Sequence, residues 1–143
     1  MRTCKLIRVK TKTTNLKLDV KRSSAGLGLF AGEPIKKGAR IIEYIGEKIT
    51  ADEANRRGGK YLFEINDRWT IDGTTRKNTA RYINHACKGA DNCEAEEDRG
   101  RIFILAKKNI APGEELVYDY GEEYFDEHIK PFGCRCAVHQ KTA

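Results

Sequence analysis

The sequence predicts a mainly β fold with few short helices. Three observations carry that expectation. Apolar and polar residues alternate at period two, turn residues separate short runs at close intervals, and one segment alone has a clear helix start. The 143 residues fit one domain, and no repeat, low-complexity tract or linker divides them.

The elements follow in order. Residues 15–21, Asn-Leu-Lys-Leu-Asp-Val-Lys, alternate as a half-buried strand does, and Ser23-Ser24-Ala25-Gly26 breaks the pattern. Residues 29–31 and 39–44 read as further short strands. Thr50 and Glu53 have the spacing of a capping box, Ala54 to Arg57 extend the helix, and Gly58-Gly59 stops it. Residues 61–65 and 68–72 form a hairpin about a turn at Asn66-Asp67. Residues 101–106 are a strongly apolar strand, and Ala111-Pro112-Gly113-Glu114 turns the chain into a strand over 116–118.

Composition narrows the function. The apolar fraction of 39% supports a core of limited thickness, and no run of about 18 apolar residues exists to span a membrane. The first residues lack an apolar stretch of signal-peptide length, so no Sec signal is expected, with other export routes left open. The net charge is +6. Residues 1–40 hold 11 Lys or Arg against 2 acids, whereas residues 41–143 hold 16 against 19. The basic lobe suits either a nucleic-acid partner or a solvated surface. The acidic run Asp119, Glu122, Glu123, Asp126 and Glu127 suits a basic peptide. Five cysteines, an odd number, argue against a disulfide scaffold and for thiol or metal chemistry in a reducing compartment.

Four short motifs carry candidate chemistry. Gly26-Leu27-Gly28 allows a tight turn or a close backbone approach to a ligand, and it lacks the third glycine of a dinucleotide fingerprint. Tyr44, followed by Gly46, suits core packing or a pocket wall. Asn84-His85, inside the apolar frame of Tyr82, Ile83 and Ala86, is either a satisfied polar turn or a ligand-holding step. Tyr118 and Tyr120 share one face of a strand, with Asp119 on the other. Two hydroxyls on one face suit a surface edge or the lining of a polar channel.

Taken together and in order, Gly26/Gly28, Tyr44/Gly46, Arg81-Tyr82-Ile83-Asn84-His85-Ala86-Cys87 and Gly113-Glu114-Glu115-Leu116-Val117-Tyr118-Asp119-Tyr120 resemble the SET-domain protein lysine methyltransferases over roughly residues 16–136. The resemblance implies the SET (β-clip) fold of small sheets. In that fold a C-terminal segment threads under the Asn-His loop as a pseudoknot, a rarity among folds. It divides the chain into a basic N-terminal strand segment (1–15), a SET domain (16–122) and a post-SET-like tail (123–143).

The resemblance further implies S-adenosylmethionine as cofactor. Gly26, Leu27, Gly28, Tyr44, Asn84, His85 and Tyr120 would bind it, and Phe132, Tyr124 or Phe125 would cover the adenine. Tyr120 matches the family's catalytic tyrosine, with Tyr44 near the transferring methyl. Tyr118 matches a position that varies between Phe and Tyr, and a tyrosine there resembles enzymes adding one or two methyls. Tyr61 and Phe63, with Tyr118, would line the lysine channel while their strand pairs with the substrate backbone.

Cys134-Arg135-Cys136 resembles the family's zinc-binding tail, with Cys87 as a further thiolate. The sequence departs at the fourth ligand: Lys141 stands where a cysteine would be expected, and His139 is the nearby substitute. The expected partner is a protein with a target lysine in a basic segment, histone or otherwise, in the cytoplasm or nucleus, with a homodimer left open. A non-catalytic basic module that binds nucleic acid or protein, and a zinc-stabilised structural domain, are the alternatives.

Overall fold

The computed structural model describes residues 2–3, 15–24 and 26–121. Short strands dominate them. In chain order they begin with β1 (Arg2–Thr3), β2 (Leu18–Ser23), β3 (Gly26–Ala31), β4 (Arg40–Tyr44) and β5 (Glu47–Thr50). Helix α1 (Ala51–Arg57) precedes β6 (Leu62–Glu64) and β7 (Trp69–Asp72). A 3-10 turn (Thr79–Tyr82) leads to β8 (Asn84–His85), β9 (Cys93–Asp98), β10 (Arg101–Ala106) and β11 (Val117–Tyr118).

Four small sheets result: β1-β6-β7-β5, β4-β10-β9, β2-β3 and β8-β11. In the second, Ile102, Ile104 and Ala106 of β10 enter the main core with Ile41, Cys93, Ala95 and Leu116. The other face of β10 carries buried Phe103 and Leu105. There the Arg40 guanidinium lies 4.0 Å from the Phe103 ring centre and pairs with buried Glu96 on the far strand. That pairing explains how an acidic run, Cys-Glu-Ala-Glu-Glu-Asp, forms β9: its register with β10 is unbroken from Cys93↔Ala106 to Asp98↔Arg101.

The helix starts as its sequence predicts. Thr50 Oγ1 accepts from the Glu53 N–H at 3.2 Å. The Glu53 carboxylate turns instead to Arg56 and Arg57, so the reciprocal half of the capping box is replaced by ion pairs along the helix. Arg57 also reaches Glu47 and Asp72, both at 2.9 Å, and so ties the helix end to β5 and β7. Its hydrogen bond holds the Glu47 carboxyl below the usual range. Burial pushes Asp72 upward, but hydrogen bonds from Thr74 and Arg57 outweigh it and leave that carboxyl lowered as well. The hairpin turns where expected, with Asn66 Oδ1 accepting from the Arg68 and Trp69 N–H groups.

Long-range pairing brings the chemistry together. β3 is stitched to the segment before β11, with Leu29 O accepting from Leu116 N at 2.8 Å and Glu114 O from Ala31 N at 2.9 Å. β8 and β11 pair in parallel, Val117↔Asn84 and Tyr118↔His85. The same loop closes from the other side. Asn92 donates to Glu115 O at 2.8 Å and accepts from Val117 N at 2.9 Å. Segment 115–118 is therefore held between two stretches of one loop, the arrangement that a pseudoknot requires.

Candidate active site

A line of aromatic rings runs through the core where three sheets meet. Tyr44 ends β4 with its ring centre 5.2 Å from that of Phe63 in β6. Phe63 lies 6.3 Å from Tyr118, Tyr118 4.9 Å from Tyr120, and Tyr120 5.3 Å from His85, edge to face. All four six-membered rings belong to buried residues, the most exposed being Tyr120 at 5%. Strand alternation keeps the two tyrosines on one side although β11 ends at Tyr118, and Asp119 between them is exposed.

Buried hydroxyls need partners, and for Tyr44 and Tyr120 these are backbone carbonyls. Tyr44 Oη donates to Tyr61 O at 2.8 Å, and Tyr120 Oη donates to Ile83 O. With each proton so engaged, each phenol oxygen can act toward a ligand only as an acceptor. The end of β4 is fixed by buried Asn78, whose Oδ1 accepts from Ile45 N at 3.1 Å and whose Nδ2 donates to Gly73 O at 3.1 Å. A side chain at Gly46 would collide with the Asp72 carbonyl, so only glycine lets the chain leave Tyr44 in this direction.

The Asn84-His85 step divides its labour. The His85 ring faces inward, its side chain 5% exposed, and Nδ1 accepts the Tyr120 N–H at 3.1 Å. An accepting Nδ1 puts the proton of the neutral ring on Nε2, which lies 3.3 Å from Cys87 Sγ. The imidazole thus braces the segment that carries Tyr120, and the backbone of β8 pairs with β11.

Asn84 faces the glycine strand. Its Nδ2 lies 2.7 Å from Glu115 Oε2, 3.0 Å from Ser23 Oγ and 3.0 Å from Leu27 O. The Gly26-Leu27-Gly28 motif opens β3 rather than forming a tight turn itself. Gly28 is a point of close approach, since a Cβ there would stand 2.6 Å from Glu115 Oε2. Leu27, half exposed at 50%, offers an apolar surface beside it.

The remaining candidates fall as follows. Phe63 belongs to the ring line, and Tyr61, half-buried, contributes its carbonyl to Tyr44 and its ring face to Arg81, 4.4 Å away. The outer edge of β6, where a substrate strand was expected, pairs in parallel with β1, Arg2↔Phe63 and Thr3↔Glu64. Cys87 is half-buried, while Tyr124, Phe125, Phe132, Cys134, Cys136 and His139 lie outside the described residues, as do all the C-terminal acids except Asp119. No cluster of three or more metal-ligating side chains occurs among the described residues. Cys93 is buried, and burial pushes its thiol up to about 12, which makes it a core residue rather than a nucleophile or ligand.

Sequence reasoning missed Ser23, Asn78, Asn92 and Glu115. Asn92 and Glu115 each stand beside an apolar residue, Cys93 and Leu116, but that adjacency alone does not point to their partners. Ser23 and Asn78 carried no signal, because their partners are remote in sequence.

The comparisons agree with this geometry. The SET-domain profile matches residues 26–121. Over 125 residues the chain is 40% identical to human "Histone-lysine N-methyltransferase 2D", covering 79% of this chain and 2% of that protein. It is 42% identical over 125 residues to "Histone-lysine N-methyltransferase, H3 lysine-4 specific" of Schizosaccharomyces pombe, covering 78% and 13%. It is 41% identical over 125 residues to "Histone-lysine N-methyltransferase trr" of Drosophila melanogaster, covering 79% and 5%. The chain thus spans a small fraction of these relatives. The profile match takes in β3, the Asn-His step and the tyrosine pair: the chain belongs to the SET-domain family.

Proposed function

We propose that this domain methylates a lysine side chain of a basic protein, with S-adenosylmethionine as methyl donor and histone as the leading substrate class. One observation carries the reading. Three polar groups at the site, the Tyr44 and Tyr120 hydroxyls and the Asn84 amide nitrogen, direct their protons to protein acceptors. What they offer a ligand is oxygen. Oxygen acceptors suit a ligand that carries an ammonium and a sulfonium, and a methyl polarised by positive sulfur.

The residues present fit that cofactor. Gly28 gives the close backbone approach, Asn84 an amide oxygen for the ammonium, and Leu27 an apolar cover. When bound, the cofactor supplies an electrophilic methyl: a nitrogen–carbon bond forms as the sulfur–carbon bond breaks, leaving a neutral thioether. The chain's task is alignment. A free lysine, with a pKa of about 10.4, is mostly protonated at neutral pH and must lose a proton, to water, before attack. An apolar channel lowers that pKa by disfavouring the ammonium. The buried rings of Phe63 and Tyr118 supply such surroundings. Tyr120 is a poor base, since its own proton already engages Ile83 O. It orients instead, and positioning alone is worth several orders of magnitude in rate.

For the substrate backbone the reading favours the outer edge of β6, by strand addition. β1 holds that edge, so a substrate strand must displace it. The Tyr118 hydroxyl limits the room beside the amine, which favours one or two methyls over three. Zinc at Cys87, Cys134, Cys136 and His139 is part of the same proposal, and at Cys87 it would take over the sulfur that faces His85 Nε2. Metal content of the purified chain, with and without Cys87→Ser, tests it.

The test of the function is incubation with methyl-labelled cofactor and a panel of basic proteins. Label on lysine supports the reading. Cofactor binding without transfer to any protein, or no cofactor binding at all, contradicts it.

A further inference from the structure

The cage around the Asn84 amide nitrogen contains two side chains that no part of the methyl-transfer reading has used, Ser23 and Glu115. Three acceptors converge on Nδ2: Ser23 Oγ, Leu27 O and Glu115 Oε2, at 3.0, 3.0 and 2.7 Å. An amide NH2 has two hydrogens, so it cannot serve all three fully. The shortest contact is to the carboxylate, and a hydrogen bond to a charged acceptor is the strongest of the set. A carboxylate accepts and does not donate. If the Asn84 amide were turned over, its oxygen would face the Glu115 carboxylate and the Leu27 carbonyl, neither of which can donate to it. The Ser23 hydroxyl alone could donate to that oxygen, so two acceptors against one donor favour the orientation with Nδ2 inward.

We propose that Glu115 is a positioning residue for cofactor binding: it holds the Asn84 carboxamide with the nitrogen toward the protein, so that Oδ1 is presented to the cofactor's ammonium. The inference rests on the methyl-transfer reading above. It also assigns a second cause to the glycine at 28. A Cβ there would meet Glu115 Oε2 at 2.6 Å, Glu115 Cδ at 3.0 Å and Ser23 Cβ at 3.1 Å. An alanine would push the carboxylate off the amide. Gly28 thus serves the ligand both by opening the backbone and by making room for the group that orients Asn84. The β3 pairing to 114–116 makes this possible, because it sets Glu115 across from Phe30.

The test is calorimetric and needs no turnover. S-adenosylhomocysteine keeps the cofactor's amino-acid end, and 5′-methylthioadenosine lacks it. Glu115→Ala should weaken the first ligand by about tenfold or more, the size of one lost hydrogen bond to a charged group. The second should change by less than about twofold, within the effect of a change that touches no ligand contact. Gly28→Ala should reproduce the selectivity, and Glu115→Gln, which retains an acceptor but can also donate, should fall between. Equal weakening of both ligands by Glu115→Ala and Glu115→Gln would assign Glu115 a merely structural role and overturn the inference, as would no change in either. Those results leave the methyl-transfer reading standing. Wild-type protein that binds neither ligand overturns that reading and this inference together.

Discussion

The hydroxyl of Tyr120 donates to the carbonyl of Ile83, 37 residues earlier in the chain. This bond joins the tyrosine segment to the residue just before the Asn-His step. It fixes the phenol at both ends, because the Tyr120 N–H is held by His85 Nδ1. Backbone and side chain of one residue are thereby anchored to two neighbouring residues of one loop. An aligning group needs such restraint, since loss of about 1 Å in placement costs roughly 10²-fold in rate.

Tyr118 touches both Tyr120 and Phe63 and is buried. Tyr118→Phe keeps the ring and removes only the oxygen. The account predicts a product distribution shifted toward more highly methylated lysine at similar cofactor affinity. Mass spectrometry of the modified protein reads this directly, and an unchanged distribution removes Tyr118 from the role.

β1 occupies the edge of β6 that the substrate is expected to use. A chain lacking residues 1–15 should bind a basic peptide more tightly, with KM lowered about threefold or more and kcat little changed, because a competing closed population is removed. The KM–kcat split of the two proteins against one peptide decides it. An unaltered KM would mean that β1 does not compete.

Arg40 and Glu96 are buried at 7% and 1% and pair across β10. Removing one partner of such a pair costs roughly 3–5 kcal/mol, and Arg40 also reaches Asp98 at 3.4 Å, which sets the loss from Glu96→Leu toward the lower end. Glu96→Leu and Arg40→Met should each destabilise by that order in chemical denaturation. The double substitution should recover much of the loss, and additive losses would show that the pair is not coupled.

Cys93 offers a pH-dependent check. Burial raises its thiol from 9.0 to about 12 in the folded chain. A raised folded-state value means the native state keeps its proton where the unfolded state gives it up. The stabilisation from this group is therefore full below pH 9 and lost between about pH 9 and 12. At pH 8 a thiol reagent should spare Cys93 in the native chain and modify it in denaturant. Rapid native modification would place Cys93 outside the core.

What was legible in the sequence was local. The Thr50 cap, the Asn66 turn and the apolar β10 all state their structure within a few residues. The alternation of residues 15–21 located a strand but not its bounds: β2 runs from Leu18 through Ser23, and Val20 is exposed rather than half-buried. The Asn-His step and the tyrosine pair were legible because buried polar groups in apolar frames are unusual. β9 was not. No element was expected over its acids, and it is a strand because β10 pairs with it and Arg40, 56 residues before Glu96, neutralises its buried member. The Asn84 cage was hidden for the same reason: Ser23 lies 61 residues away and Glu115 lies 31, and nothing local joins them. Pairing over such distances is set by the packing of the whole chain, which no window of the sequence contains.

The most direct test of the central claim is the effect of Tyr120→Phe on cofactor affinity and on the rate of methyl transfer, measured on one preparation. The account predicts a rate lower by about 10²-fold. Affinity should stay within about threefold, because the phenol oxygen aligns the reaction more than it binds. Full activity in the Tyr120→Phe protein would contradict it.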